Sequence, residues 1–128
     1  MKGCKILIVE DERHIARFLE FILANEGYEI MSVGEGYQAL KLLDLFKPDG
    51  ILLDLGLPDI NGIDLLNNIR SHKKFNETKV IILSGSLFEG VSEQLKIAGA
   101  SAQCSKPIAP STLVKTLQNL NLLPITAV

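Results

Sequence analysis

The chain reads as an α/β protein built on a parallel sheet, and three observations lead there. Short aliphatic runs recur at Lys5–Val9, Gly50–Asp54, 80–83 and 102–104. Each run switches to polar residues at its carboxyl end: Glu10-Asp11-Glu12, Asp54, Ser84-Gly85 and Ser105-Lys106-Pro107. Stretches with helical spacing of apolar residues separate the runs, the pattern of strand-helix units rather than of hairpins. Ligands on such sheets bind beyond the carboxyl ends of the strands. Glu10, Asp11, Asp54, Ser84 and Lys106 are therefore expected to converge on one edge.

Five strand-helix units account for the chain. Strand one, Lys5–Val9, leads into a helix expected over 12–26, closed by Gly27 at the position where a left-handed cap favours glycine. The acids Glu10, Asp11 and Glu12 suit the first turn of that helix, where the macrodipole favours negative charge. Strand two is expected over 28–33 and helix two over 37–46, ended by Lys47-Pro48. Strand three is Gly50–Asp54. Asn61-Gly62 resembles a hairpin turn, but Ile63, Leu66 and Ile69 follow at helical spacing, so the pair opens helix three over 62–72. Strand four is expected over 80–83 and helix four over 88–98, ended by Gly99. Strand five covers 102–104, and helix five 110–120, with Pro110 in the first turn, where its missing donor is not needed. Ala109 before it is a poor N-cap. The tail 122–128 is apolar and short.

With 128 residues, 47% hydrophobic and 22% charged, the chain has the size and composition of one compact domain that buries a core without staples. A net charge of −2 with scattered Lys and Arg leaves no basic footprint, so direct nucleic-acid binding is not expected. No apolar run approaches a membrane span, and the first is followed by acids rather than a cleavage site. A cytoplasmic location is expected.

Asp54 ends a strand that looks buried, and a carboxylate there can act as a nucleophile toward phosphorus, holding the phosphoryl group as a mixed anhydride. Taken alone it would more often be a turn cap. Its neighbours change that reading. Three carboxylates at one edge repel by on the order of 4 kcal/mol per charged pair at about 4 Å and an effective dielectric near 20. A cation is therefore expected among them, and Mg²⁺ fits because it takes one or two carboxylates, keeps waters and completes its shell with phosphate oxygens.

Taken in order, Glu10-Asp11, Asp54 with Leu57-Pro58 and Asn61-Gly62, Ser84, and Lys106-Pro107 resemble the receiver domain of two-component response regulators. The resemblance runs from Lys5 to about Leu122. It implies a doubly wound, flavodoxin-like five-stranded sheet of order 2-1-3-4-5 with five helices, forming a single receiver domain over 1–128 with its core at about 5–122. It also implies Mg²⁺ held directly by Asp11, Asp54 and the Gly56 carbonyl, with Glu10 acting through water. Ser84 and Lys106 would contact the phosphoryl group, and the Lys106-Pro107 bond would be cis. The phosphodonor would be a histidine kinase or a histidine phosphotransfer protein. Such a domain catalyses its own phosphorylation and dephosphorylation but serves mainly as a signalling switch or phosphorelay module. In the resembled order Cys4 and Cys104 sit three strand spacings apart, roughly 14 Å, too far for a disulfide.

Two rival readings are a receiver-like interaction module that is not phosphorylated and an aspartyl-nucleophile phosphatase. The phosphatase class carries a second Asp two positions after the nucleophile, where this chain has Gly56. Three departures from the resembled pattern matter. Gln103 occupies the position of the usual Tyr or Phe switch, and burying its amide unpartnered would cost on the order of 1 to 3 kcal/mol. Ser101-Ala102 replace an acidic pair used in dimers of DNA-binding receivers, so a monomer or weak dimer is expected. Gly56 and Ser86 are small, which would open an acyl phosphate to water. On helix one, His14, Phe18 and Phe21 form a flank beside the core stripe, and the resemblance places phosphodonor docking there. His72 is expected near the end of helix three, and neither histidine has metal-site spacing.

Overall fold

The structure, a computed structural model, describes residues 3–85 and 89–125. Its strands and α-helices alternate: β1 Lys5–Val9, α1 Arg13–Glu26, β2 Glu29–Val33, α2 Gly36–Phe46, β3 Gly50–Asp54, α3 Gly62–Arg70, β4 Lys79–Ser84, α4 Glu89–Ala98, β5 Ala102–Ser105 and α5 Pro110–Asn119. The strands form one parallel sheet in the order β2-β1-β3-β4-β5. This is the expected order.

Strand period divides the core in two. Leu7, Val9, Ile51, Leu53, Val80 and Ile82 point to the layer of Leu43, Leu65, Leu66, Ile69 and Leu95, from α2, α3 and α4. Ile6, Ile8, Leu52, Ile81 and Leu83 point the other way, to Leu19, Leu23, Leu113 and Leu117 of α1 and α5. Both faces of β1, β3 and β4 are thus covered, which explains why these strands are almost wholly aliphatic. Chain direction across the sheet reverses between β1 and β3. The crevice at that point opens where Glu10 follows β1 and Asp54 ends β3.

Local signals placed most boundaries to within a residue or two. Gly27 is left-handed (φ 98°) and its N–H closes α1 on the Ala24 and Leu23 carbonyls. Asn61 caps α3 by accepting from the Ile63 N–H at 2.8 Å. Gly62 is required by packing, since a Cβ there would lie 2.7 Å from the Leu55 Cα. Pro110 stands in the first turn of α5, and Ala109 gives no side-chain cap.

Other expectations are corrected. Helix α1 starts at Arg13, with Glu12 as an N-cap whose side chain makes no cap bond, so Glu10, Asp11 and Glu12 precede the first turn and leave it without an acid. Tyr28 lies before β2, and α2 begins one residue early, at Gly36. Helix α3 ends at Arg70, two residues short of the expected end, and a separate 3₁₀ turn follows at Lys73–Phe75. His72 is therefore extended (φ −100°, ψ 115°), packed edge-on against Phe75, and not a helix-end cation. Strands β4 and β5 run on to Ser84 and Ser105 because their backbones keep pairing after the side chains turn polar. Phe88 and Ser86 lie outside the described residues.

The segment 122–125 returns to the amino-terminal end of the sheet, opposite the acidic edge. Leu122 is buried, and its carbonyl accepts the Tyr28 hydroxyl at 2.6 Å. The Cys4 N–H donates to Leu123 at 3.0 Å, and the Ile125 N–H to Gly27 at 3.1 Å. Cys4, half-buried, and Cys104, buried, are both free thiols.

Candidate functional site

The five residues expected at one edge lie on the ends of β3 and β4 and in the loops that follow β1 and β5. Glu10 is tied to β2 by its N–H on the Val33 carbonyl at 3.0 Å, and it is buried. Asp54, also buried, ends β3 opposite Leu83 of β4. Ser84, buried as well, is the last residue of β4 and pairs in register with Ser105. The Lys106 N–H donates to the Ser84 carbonyl at 2.9 Å, which sets the direction of the chain leaving β5, and the Lys106-Pro107 peptide is cis.

Carboxylate oxygens of Glu10, Asp11 and Asp54 all fall within 4.8 Å of one another, with Asp11 exposed and the other two buried. Lys106 reaches into this cluster. Its Nζ donates to Glu10 Oε1 at 2.6 Å and to Asp54 Oδ1 at 3.2 Å. The protein thus supplies one internal counter-charge itself; the sequence marked Lys106 as the positive charge of the site, but not its direct pairing with Glu10 and Asp54. The second Glu10 oxygen accepts the Glu12 N–H at 3.3 Å. Among the described residues, Asp54 Oδ2 and the Asp11 carboxylate take no hydrogen bond. Gly56 is exposed beside them, and a Cβ there would sit 3.8 Å from Asp54 Oδ2.

Burial and pairing compete at this edge. Burial pushes the Glu10 carboxyl up and the Asp54 charge adds to it, while the bonds from Lys106 and the Glu12 N–H pull down, leaving Glu10 above its usual range. Burial pulls the Lys106 ammonium down, but its bond to Glu10 and the charges of Asp54 and Glu10 outweigh that, so it is raised. The pair therefore holds the lysine charged more firmly than it holds the glutamate charged.

The loop between β3 and α3 is fastened from outside. Asp59 Oδ1 accepts the Gly36 N–H and Oδ2 the Tyr37 N–H, each at 2.9 Å. Desolvation works against the Asp59 carboxylate, yet the N–H groups of Tyr37, Gly36, Asp59 and Ile60 together hold it below its usual range. No local signal pointed to this contact, because its partners are 22 and 23 residues away.

Two departures now have structural readings. Gln103 Nε2 donates to the Ser92 carbonyl of α4 at 2.9 Å, while its Oε1 is buried without a hydrogen-bond partner among the described residues. Half of the expected penalty is therefore met. Ser101 is turned inward, its Oγ accepting from the Val80 N–H at 3.0 Å and from Arg70 Nη2 at 3.4 Å. On α1, Phe18 and Phe21 are 45% and 69% exposed. Phe18 borders a mostly apolar groove of about 310 Å³ that runs to Lys106, Pro107 and Ile108. Phe18 and Phe21 also border a groove of about 680 Å³ against α5. No helix among the described residues is long and apolar enough to cross a membrane.

The chain is similar to known proteins. The family model of the response regulator receiver domain matches residues 6–118. The transcriptional regulatory protein PdtaR of Mycobacterium tuberculosis is 33% identical over 115 residues, 89% of this chain and 55% of that protein. The chain thus spans about half the length of this relative. The polar-differentiation response regulator DivK of Brucella anthropi is 26% identical over 114 residues, 89% of this chain and 93% of that one. Among solved structures, the chemotaxis response regulator CheY4 of Vibrio cholerae superposes with a TM-score of 0.88 at 27% identity, covering 93% of this chain and 99% of its own.

Proposed function

The chain belongs to the response regulator receiver domain family of two-component systems, and from that premise we propose that it accepts a phosphoryl group on Asp54 from a histidine kinase or a histidine phosphotransfer protein. The observation that carries this reading is the pairing at Asp54. Lys106 holds Oδ1 at 3.2 Å, while Oδ2 is without a hydrogen bond from the described residues and lies close to Gly56. An Asp54 oxygen attacks phosphorus, the bond from phosphorus to the donor nitrogen breaks, and the donor imidazole leaves with the electron pair. Lys106, a flexible ammonium, follows the charge onto the new acyl phosphate, and Ser84 offers a hydroxyl to a phosphoryl oxygen from the adjacent strand.

The cluster suits Mg²⁺ as the cofactor. Both Glu10 oxygens are engaged, by Lys106 and by the Glu12 N–H, which fits an indirect role through water. Asp11 and Asp54 Oδ2 have no such commitments among the described residues, which fits direct coordination together with the Gly56 carbonyl. When bound, the cation supplies positive charge to the transferring phosphoryl group. The domain would then act as a signalling switch or relay module, with the donor docking on the flank of α1 beside the groove to Pro107.

Intact mass after incubation with acetyl phosphate and Mg²⁺ tests the reading. One added phosphoryl group is expected, absent in Asp54→Asn and in the presence of a chelator. Labelling of Asp54→Asn at the wild-type rate overturns it.

A further inference from the structure

The loop 55–61, which carries Gly56, is bound to helix α2 by more than chain connectivity. Asp59 spans the first two free N–H groups of α2 with both carboxylate oxygens, each at 2.9 Å. It does the work of an N-cap from the other side of a crevice. The residue in the N-cap position itself, Glu35, makes no side-chain cap bond. The next residue seals the contact: a Cβ on Gly36 would lie 2.1 Å from Ile60 Cγ2, so only glycine lets the α2 terminus approach the loop this closely. On the far side the loop closes on α3, where the Gly62 N–H donates to the Leu55 carbonyl at 3.3 Å. The loop is pinned at both ends, and the Asp59 pin is the one that reaches a separate helix.

We infer that Asp59 is a positioning residue for the phosphorylation site, holding the 55–61 loop against the α2 terminus so that the Gly56 backbone faces the Asp54 carboxylate. The inference rests on the receiver reading above. Its chemistry is that of outer-shell support: a group that fixes a ligand-bearing segment changes metal affinity by about tenfold or more without touching the metal. A carboxylate suits the task because it accepts two N–H bonds at once, and the positive end of the α2 dipole favours its charge.

The test separates positioning from simple helix capping. Asp59→Ala removes both bonds, and Glu35→Ser in the same chain returns a local cap to α2 without reconnecting the loop. Mg²⁺ affinity by calorimetry, labelling by acetyl phosphate, melting temperature, and amide exchange of 55–61 in metal-free protein are measured for both variants and for Asp59→Asn. The expected result is faster exchange in the loop and about tenfold weaker Mg²⁺ binding in Asp59→Ala, with slowed labelling. The double variant should regain melting temperature but neither affinity nor loop protection, and Asp59→Asn, which keeps one acceptor and turns an amide NH2 toward the other N–H, should fall between wild type and Asp59→Ala. Recovery of all four readouts by Glu35→Ser overturns the inference, because Asp59 would then be a cap and nothing more. Wild-type exchange and affinity in Asp59→Ala overturn it as well. Failure of the wild-type protein to bind Mg²⁺ or to be labelled sinks the receiver reading instead, while loop exchange still decides whether Asp59 holds the loop.

Discussion

Lys106 donates to both Glu10 and Asp54, so shortening it to Met leaves a buried glutamate with one partner fewer. Lys106→Met is expected to lower metal-free stability at neutral pH by about 1 to 3 kcal/mol, the usual penalty for stranding a buried polar group. Glu10→Gln in the same chain should recover part of it. The pH dependence follows from the direction of the shifts. With Glu10 raised above 4.5 in the folded protein, its contribution is fully present below 4.5 and is lost as pH rises through the higher folded value. Glu10→Gln should therefore flatten the metal-free stability profile above pH 4.5. Lys106, raised above 10.5, contributes fully below 10.5 and loses that contribution as pH rises through its folded value. Denaturant midpoints across pH read both. A Glu10→Gln profile as steep as wild type above 4.5 would show that Glu10 is not held at a cost. At this scale the sequence made the residues legible but not their pairing, since a lysine 96 positions from its partner leaves no local trace.

Helices and strands were legible wherever the signal was local. Gly27 stops α1, Asn61 caps α3, and Pro110 opens α5, each through bonds or sterics within a few residues. Tertiary contacts overrode pattern elsewhere. His72 was read into α3, but Arg70 closes on the Gly99 and Phe75 carbonyls at 3.0 and 2.9 Å, and the chain turns there into the 3₁₀ segment. The segment 122–125 likewise has no regular pattern; what orders it is Tyr28 and the backbones of Cys4 and Gly27. Burial, with smaller contributions from Cys4 and Glu26, raises the Tyr28 hydroxyl from 10.0 to about 12. Its contribution is therefore full below pH 10.0 and fades as pH climbs to about 12. Tyr28→Phe should cost about 1 kcal/mol at neutral pH. The gap to wild type should narrow between pH 10.0 and about 12. A gap that widens over that range would mean the hydroxyl is not bonded to the Leu122 carbonyl.

Over the whole molecule, parallel strands and a sheet that reverses direction between β1 and β3 bring dispersed residues to one edge, which is why the acidic pair, Asp54, Ser84 and Lys106 could be grouped from their order in the sequence. The flanking surfaces carry the next two predictions. Phe21→Ala and His14→Ala, at exposed positions on α1, should slow phosphotransfer from the cognate donor while acetyl phosphate labelling and melting temperature stay near wild type. Equal loss in both labelling assays would indicate a defect of folding or of the site. Gln103 ties β5 to the Ser92 carbonyl of α4 and has no ring to rotate. A beryllofluoride phosphoryl mimic should therefore change hydrogen exchange across 88–103 only modestly, whereas a large cooperative change would assign the switch to another residue.

Asp54 as the phosphoryl acceptor is the centre of the proposed chemistry, and reductive trapping tests that bond itself. Borohydride reduces an aspartyl phosphate to homoserine, which peptide mass spectrometry places to the residue. After acetyl phosphate and Mg²⁺, homoserine is expected at position 54 and nowhere else, and at no position when a chelator is present. Homoserine at Asp11 or Asp59, or label retained on His14 or His72, would contradict the account.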